Sequence, residues 1–150
     1  MSSTDEPSPE LSRNLAYLLK HAHLRMAELI TKVLTPHGID GRELGVLLAL
    51  GREPTSQQQA AQRLGIDRTT MVAMLDTLEG KGLVSRHPDA DDRRRNVVEL
   101  TDAGKDTLRL ATQASDAAER VFLAPLSPQA AVHLRNSLQT LVTQPDNQHS

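Results

Sequence analysis

Between residues 56 and 82 the sequence starts and stops two short helices in quick succession. Ser56 and Gln59 have the spacing of a capping box, in which a hydroxyl at the helix start and a glutamine three residues on satisfy each other's backbone N–H groups. They open "SQQQAAQRLG", which Gly65 ends. Asp67 then caps "DRTTMVAMLDTLEGKG", whose stop is marked by Gly80 and Gly82. A helix, a glycine turn and a second capped helix predict a helix-turn-helix unit. Ala61 is small where the two helices must approach, and Met71 and Met74 stand where the second must pack inward. The same caps would serve an ordinary helical hairpin, so the motif alone leaves both readings open.

The segment after Gly82 favours the helix-turn-helix. Residues 83–87 and 96–100 are β-prone runs that read as a hairpin. Between them three acids, Asp89, Asp91 and Asp92, run into three arginines, Arg93, Arg94 and Arg95. A hairpin directly after the second helix, with arginines at its tip, has the layout of a winged helix. The second helix would enter a DNA major groove while the tip reaches the neighbouring minor groove, whose negative potential suits arginine. A calcium loop starting at Asp89 fails, because it would need an oxygen ligand at Arg93 and a glutamate at Leu100.

The flanks are helical. Leu11, Leu15, Leu18, Ala22, Met26, Leu29 and Val33 fall at spacings of three and four, with Leu19, Ile30 and Leu34 as a second stripe, in one long helix after a disordered residue 1–9 segment. "TPHGIDG" ends it, and an Asp40–Glu43 capping box opens a short, nearly all-apolar helix that should be buried. Thr101 caps a helix carrying Leu108, Ala111, Ala114, Ala118 and Val121, and Ser127-Pro128 opens a last one with Leu134, Leu138 and Leu141. Residues 144–150 read as a loose tail.

A chain of 150 residues with one Phe, one Tyr and no Trp has little bulky material for a thick core. A thin helical protein that completes its burial in an oligomer fits better than a compact monomer. The absence of cysteine removes disulfides, thiolate catalysis, cysteine zinc sites and thiol redox triggers. No apolar run approaches a membrane span and the N-terminus is acidic rather than a basic leader, so a cytoplasmic protein with no membrane partner is expected. The net charge of −2 requires any basic surface to be local.

"DADDRRRNVVELTDAG", residues 89–104, closely resembles the wing signature of the multiple-antibiotic-resistance regulator (MarR) family: D-x-x-D-R-R, then an apolar strand ending L-T-x-x-G. Asp89, Asp92, Arg93, Arg94, Leu100, Thr101 and Gly104 fall on its positions, and "LEGKGLVSRH", 78–87, resembles the family's join between recognition helix and wing. Residues 55–104 carry the specific motifs. The resemblance implies a mainly α fold: a winged helix-turn-helix with a two-stranded β wing, its N- and C-terminal helices forming a dimerisation region. One domain would span 10–143, with a DNA-binding lobe at 40–101 and dimerisation helices at 10–35 and 102–143.

The implied function is that of a homodimeric transcription factor, usually a repressor, on a pseudopalindromic double-stranded operator. Recognition helices would sit one turn, roughly 34 Å, apart. On matching positions, Asp67, Arg68, Thr69 and Thr70 would open the recognition helix toward bases and phosphates. Arg94, flanked by Arg93 and Arg95, would enter the minor groove with Asp92 bracing the tip by an ion pair. Ser56 and Gln57 would meet phosphate at the preceding helix start. Ala73 and Thr77 stand where the family often carries arginine, which shifts weight to the wing.

The family also implies an effector, commonly a small aromatic carboxylate or phenolic compound held between the dimer helices and the DNA-binding lobe. Arg13, Tyr17, His21 and His23 are the candidates, with Arg13 and the histidines meeting a carboxylate. They serve equally well as exposed polar residues of a dimer helix, which leaves a constitutive or architectural DNA-binding protein as the alternative. His21 and His23, two apart, face different directions and form no shared metal face. With no nucleophile elbow, phosphate loop or paired carboxylates, neither an enzyme nor a cofactor is expected.

Overall fold

The structure, a computed structural model, describes residues 6–143. The expectations for residues 1–5 and 144–150 lie outside it. Helix α1 (Pro9–Arg13) starts on a Ser8 cap with proline at its first position, inside the segment expected to be disordered. The single long helix expected from residue 10 is broken at Asn14. Asn14 is extended, and its Oδ1 accepts the Tyr17 N–H at 2.9 Å to cap α2 (Leu15–Leu34). A short polar side chain that bonds its own backbone competes with continuing the helix.

One 3₁₀ turn (Thr35–His37) and Gly38, at φ 74°, turn the chain into α3 (Gly41–Leu50). Both bonds of the Asp40–Glu43 capping box are present, and α3 buries Leu44, Val46, Leu47 and Leu50. Then come β1 (Thr55–Ser56), α4 (Gln57–Leu64), α5 (Arg68–Gly80), β2 (Val84–Pro88), β3 (Asn96–Leu100), α6 (Asp102–Leu123) and α7 (Pro128–Thr143). The architecture is mainly helical with one small antiparallel sheet.

The expected two-stranded wing is the β2–β3 hairpin, and β1 adds a third strand to its sheet, in the order β1-β3-β2. The hairpin pairs Val84 with Leu100 and Pro88 with Asn96, and β1 adds Thr55 opposite Val98. Thr55 is buried there with only Ser56 beside it, and a strand of two residues carries no alternation that a sequence could display. The strand pair β1–β3 ties the start of α4 to the wing.

The core lies under α3, α4 and α5 and the sheet, with Leu47, Met71, Leu75, Leu78 and Val98 fully enclosed. Leu34 closes it from α2 and Ala111 from α6. The small Ala111 and Ala118 are buried on α6, which packs along α2. Small side chains allow that close approach. Both aromatic residues, Tyr17 and Phe122, sit half-buried on the terminal helices, so the core is aliphatic.

The junction between wing and α6 explains the Leu-Thr-x-x-Gly run. The Thr101 hydroxyl donates to the Gly82 carbonyl at 2.6 Å while accepting the Gly104 N–H at 3.0 Å. The Thr101 N–H donates to the Leu83 carbonyl at 3.1 Å. Gly104 is buried so tightly that a Cβ there would collide with that same carbonyl oxygen.

The terminal helices, in contrast, leave large apolar side chains in the open, among them Leu15, Val121, Leu141 and Val142. α7 buries none of its residues. Among the described residues no helix is long and apolar enough to cross a membrane.

Candidate nucleic-acid interface

The two short helices are set by their caps. Ser56 Oγ accepts the Gln59 N–H at 3.1 Å, and Gln59 Oε1 accepts the Ser56 N–H at 3.4 Å. Gly65, at φ 64°, ends α4 in the left-handed conformation, a position where a side chain would be strained. Asp67 caps α5, with Oδ2 accepting the Thr70 N–H at 3.4 Å. The Thr70 hydroxyl, and then its backbone N–H, hold the Asp67 carboxyl below its ordinary range. Met71, Leu75 and Leu78 face the core, Met74 is half-buried against it, and Arg68, Thr69, Ala73, Asp76 and Thr77 are exposed. α5 therefore presents a polar outer face that begins with Arg68.

The wing tip is built by its acids through backbone bonds. The Arg95 N–H donates to the Asp92 carbonyl at 3.0 Å, and the Asp89 N–H to the Arg95 carbonyl at 2.9 Å. Asp92 Oδ1 accepts the Arg94 N–H and Asp89 Oδ1 the Asp91 N–H, each at 3.0 Å. Asp92 also lies 3.6 Å from Arg94 Nε and 3.8 Å from Arg95 Nε. The Arg94 side chain is 94% exposed, and ion pairs of that kind are weak and screened by salt. The hydrogen bonds to backbone N–H groups hold the turn, and the guanidinium groups stay available.

The structure brings several of the sequence-predicted residues to one place. Ser56, Gln57, Arg68, Arg94 and Arg95 line a cleft of about 470 Å³ between α4, the first turn of α5 and the wing. Ala61, Ile66, Met71 and Val72 give it apolar walls. Gln57 Oε1 is buried there with no hydrogen-bond partner among the described residues. Thr69 and Thr70 stand on the same first turn without lining the cleft, and Arg93 is exposed at the wing tip. Asp67 and Asp92 serve as the cap and the turn. Gln62 and Asn96, which also line the cleft, carry no sequence signal, since each is a single polar residue in a polar stretch.

Charge is sorted across this lobe. Arg86 on β2 bonds Asp76 at 2.5 Å and Glu79 at 3.2 Å, both on α5. The Arg86 hydrogen bond, opposed by some burial and helped by its charge, holds the Glu79 carboxyl below its ordinary range. Lys81 is bonded to Glu43 at 2.7 Å. Arg68 and Arg93 have no ion-pair partner among the described residues. The three arginines of the wing tip are matched in number by Asp89, Asp91 and Asp92. The cleft, lined by Arg68, Arg94 and Arg95 and by no acid among the described residues, is thus locally basic on a chain whose formal charge is −2. Long-range attraction to a polyanion needs only that local excess.

On α2 the Tyr17 and His21 rings stack with centroids 4.0 Å apart. Arg13 stands across the Asn14 break on α1, and Arg13, His21 and His23 are exposed. None of the four lines the cleft. Among the described residues no group of three or more acidic or histidine side chains could hold a metal ion.

Known proteins resemble this chain in both sequence and shape. The sequence model of the MarR family matches residues 37–95. The HTH-type transcriptional regulator PecS of Dickeya dadantii (strain 3937) is 30% identical over 121 residues, covering 78% of this chain and 73% of PecS. The transcriptional repressor CouR bound to a 23-mer DNA duplex superposes with a TM-score of 0.87 at 35% identity, covering 93% of this chain and 99% of that one. CouR from Rhodococcus jostii RHA1 bound to p-coumaroyl-CoA superposes with a TM-score of 0.80 at 26% identity, over 92% and 98% of the two chains.

Proposed function

The chain belongs to the MarR family of winged-helix transcriptional regulators, and from this premise we propose that it is a ligand-released repressor that binds a pseudopalindromic operator as a homodimer. The observation that carries the reading is the shared cleft: the first turn of α5 and the wing arginines open onto one basic surface. Arg68, Thr69 and Thr70 meet bases and phosphates in the major groove, starting from the Asp67 cap. Arg94, with Arg93 and Arg95, enters the adjacent minor groove from a tip that Asp92 holds. Ser56 and Gln57, at the start of α4, meet phosphate. For Ser56 the hydroxyl proton does this, because phosphate oxygens only accept, while the hydroxyl oxygen goes on accepting the Gln59 N–H.

One domain spans 10–143, with the DNA-binding lobe at 40–101. The exposed Leu15, Val121, Leu141 and Val142 on the flanking helices support dimerisation through 10–35 and 102–143. One similar structure is a CouR on a DNA duplex and another is the CouR of Rhodococcus jostii RHA1 with p-coumaroyl-CoA, and together they support release by a small aromatic or anionic effector here. Arg13, Tyr17, His21 and His23 are its candidate contacts. An effector that favours the non-binding geometry by about 3 kcal/mol weakens DNA binding roughly 150-fold.

Selection of bound DNA from a random duplex pool, with sedimentation of the free protein and the complex, tests this directly. The expected result is a two-fold symmetric site bound by two chains. A monomer, or a pool without enrichment, overturns the proposal. Titrating aromatic carboxylates and their coenzyme A thioesters against the selected duplex then tests release. Unchanged affinity across that panel identifies a constitutive DNA-binding protein.

A further inference from the structure

Lys81 follows the last residue of α5, and its ammonium reaches back to the start of α3. Nζ donates to Glu43 Oε2 at 2.7 Å and to the Gly38 carbonyl at 2.8 Å. Glu43 is buried, and its other oxygen accepts the Asp40 N–H at 3.1 Å as half of the α3 capping box. One carboxylate therefore caps α3 and anchors the end of the recognition helix. Gly38 belongs to the turn where α2 gives way to α3. On the other side of Lys81, the Gly82 and Leu83 carbonyls take the two Thr101 bonds that start α6.

The geometry points to Lys81 as a positioning residue for DNA binding: through Glu43 and Gly38 it locks the end of α5 to the α2–α3 turn. With the Thr101 bonds to Gly82 and Leu83, α5 is held at one end to the starts of both α3 and α6. α2 and α6 pack on each other. A displacement of that helix pair is therefore carried to α5 instead of being lost in a flexible joint. A charge-assisted bond to a nearly buried carboxylate resists bending more than a surface pair, because breaking it strands the carboxylate. The competing role is plain stabilisation, a cation at the C-terminal end of a helix.

The consequence for operator spacing rests on the dimeric DNA-binding reading, but the lock itself is read without DNA. The chain has no cysteine, so Ala73→Cys on α5 and Gln113→Cys on α6, both at exposed positions, take two spin labels cleanly. The doubly labelled chain is diluted into excess unlabelled chain so that only distances within one protomer are read. The intact lock gives one narrow distance. Lys81→Met and Glu43→Gln each broaden it about twofold and lower affinity for the selected operator about tenfold, and the double variant is no worse than either single one. Glu43→Gln keeps an oxygen for the Asp40 cap and carries the test if Lys81→Met does not fold. An unchanged distance distribution in a folded variant, even with a lower Tm, overturns the proposal and leaves Lys81 a stabilising residue. Failure of the unsubstituted protein to bind any duplex would instead strike the DNA-binding reading, leaving the distances to decide the lock.

Discussion

Arg86 on the first wing strand holds Glu79 on the recognition helix, with Nε 3.2 Å from Oε2, and so fixes the base of the wing against α5. The bond keeps the Glu79 carboxyl below its ordinary value of 4.5. A carboxyl depressed in the folded state contributes stability above the unfolded value and loses it as pH falls through the lower folded one. Chemical denaturation at a series of pH values should therefore show Glu79→Gln losing less stability than the parent as the pH falls through and below the ordinary carboxylate value of 4.5. The Asp67 cap, depressed in the same direction, keeps its own share of the acid slope in that variant. Parallel slopes for the two proteins would mean that the pair does not form in solution.

Two glycines make opposite predictions. A Cβ at Gly104 meets the Leu83 carbonyl oxygen at the point where Thr101 also bonds, so backbone must shift to admit it. Gly104→Ala should cost about 3 kcal/mol, the upper range for overpacking. Gly80 lies within helical α5 with open space where its Cβ would stand. Gly80→Ala should stabilise by about 0.5–1 kcal/mol by removing freedom from the unfolded chain. Urea unfolding of the two variants beside the parent checks both signs.

Helix starts are legible in the sequence because a cap is local: Asp40 with Glu43, Ser56 with Gln59, Asp67 and Thr101 each act within three residues. The wing is legible because its acids and arginines are contiguous. The Asn14 break is hidden by an apolar period that runs through it. β1 exists only by pairing with β3, some forty residues later. The Arg86 and Lys81 bonds join segments remote in the chain, and nothing at either position distinguishes a bonded cation from a free one. The Tyr17–His21 stack follows from their spacing of four on one helix, but the spacing does not tell what the rings face.

Arg94 should act on DNA through its charge more than through any contact within the protein. Its side chain is almost wholly exposed and its pairing with Asp92 is long, so Arg94→Ala costs the fold little. Removing one phosphate-neutralising or minor-groove cation should weaken binding to all duplexes and reduce the slope of log affinity against log salt by about 1. Affinity measured across a salt series is the check. An unchanged slope would remove Arg94 from the interface.

Gln57 should show stability and function pulling apart. Its Oε1 is buried in the cleft wall without a donor, a position that costs folding free energy unless a partner arrives. Gln57→Leu removes that orphan and fits the apolar wall beside Ala61 and Met71, so the free protein should gain about 1 kcal/mol. The same change deletes the Nε2 donor, the one group of this side chain that can bond a phosphate oxygen, from the start of α4 where phosphate is proposed to bind. Operator affinity should fall about tenfold for a lost hydrogen bond to a charged group. Thermal unfolding and duplex titration on the one variant give both readings. A variant that is both more stable and equally tight would show that Gln57 has no part in binding, and one that is weaker in both would show that its oxygen has a partner in the free protein.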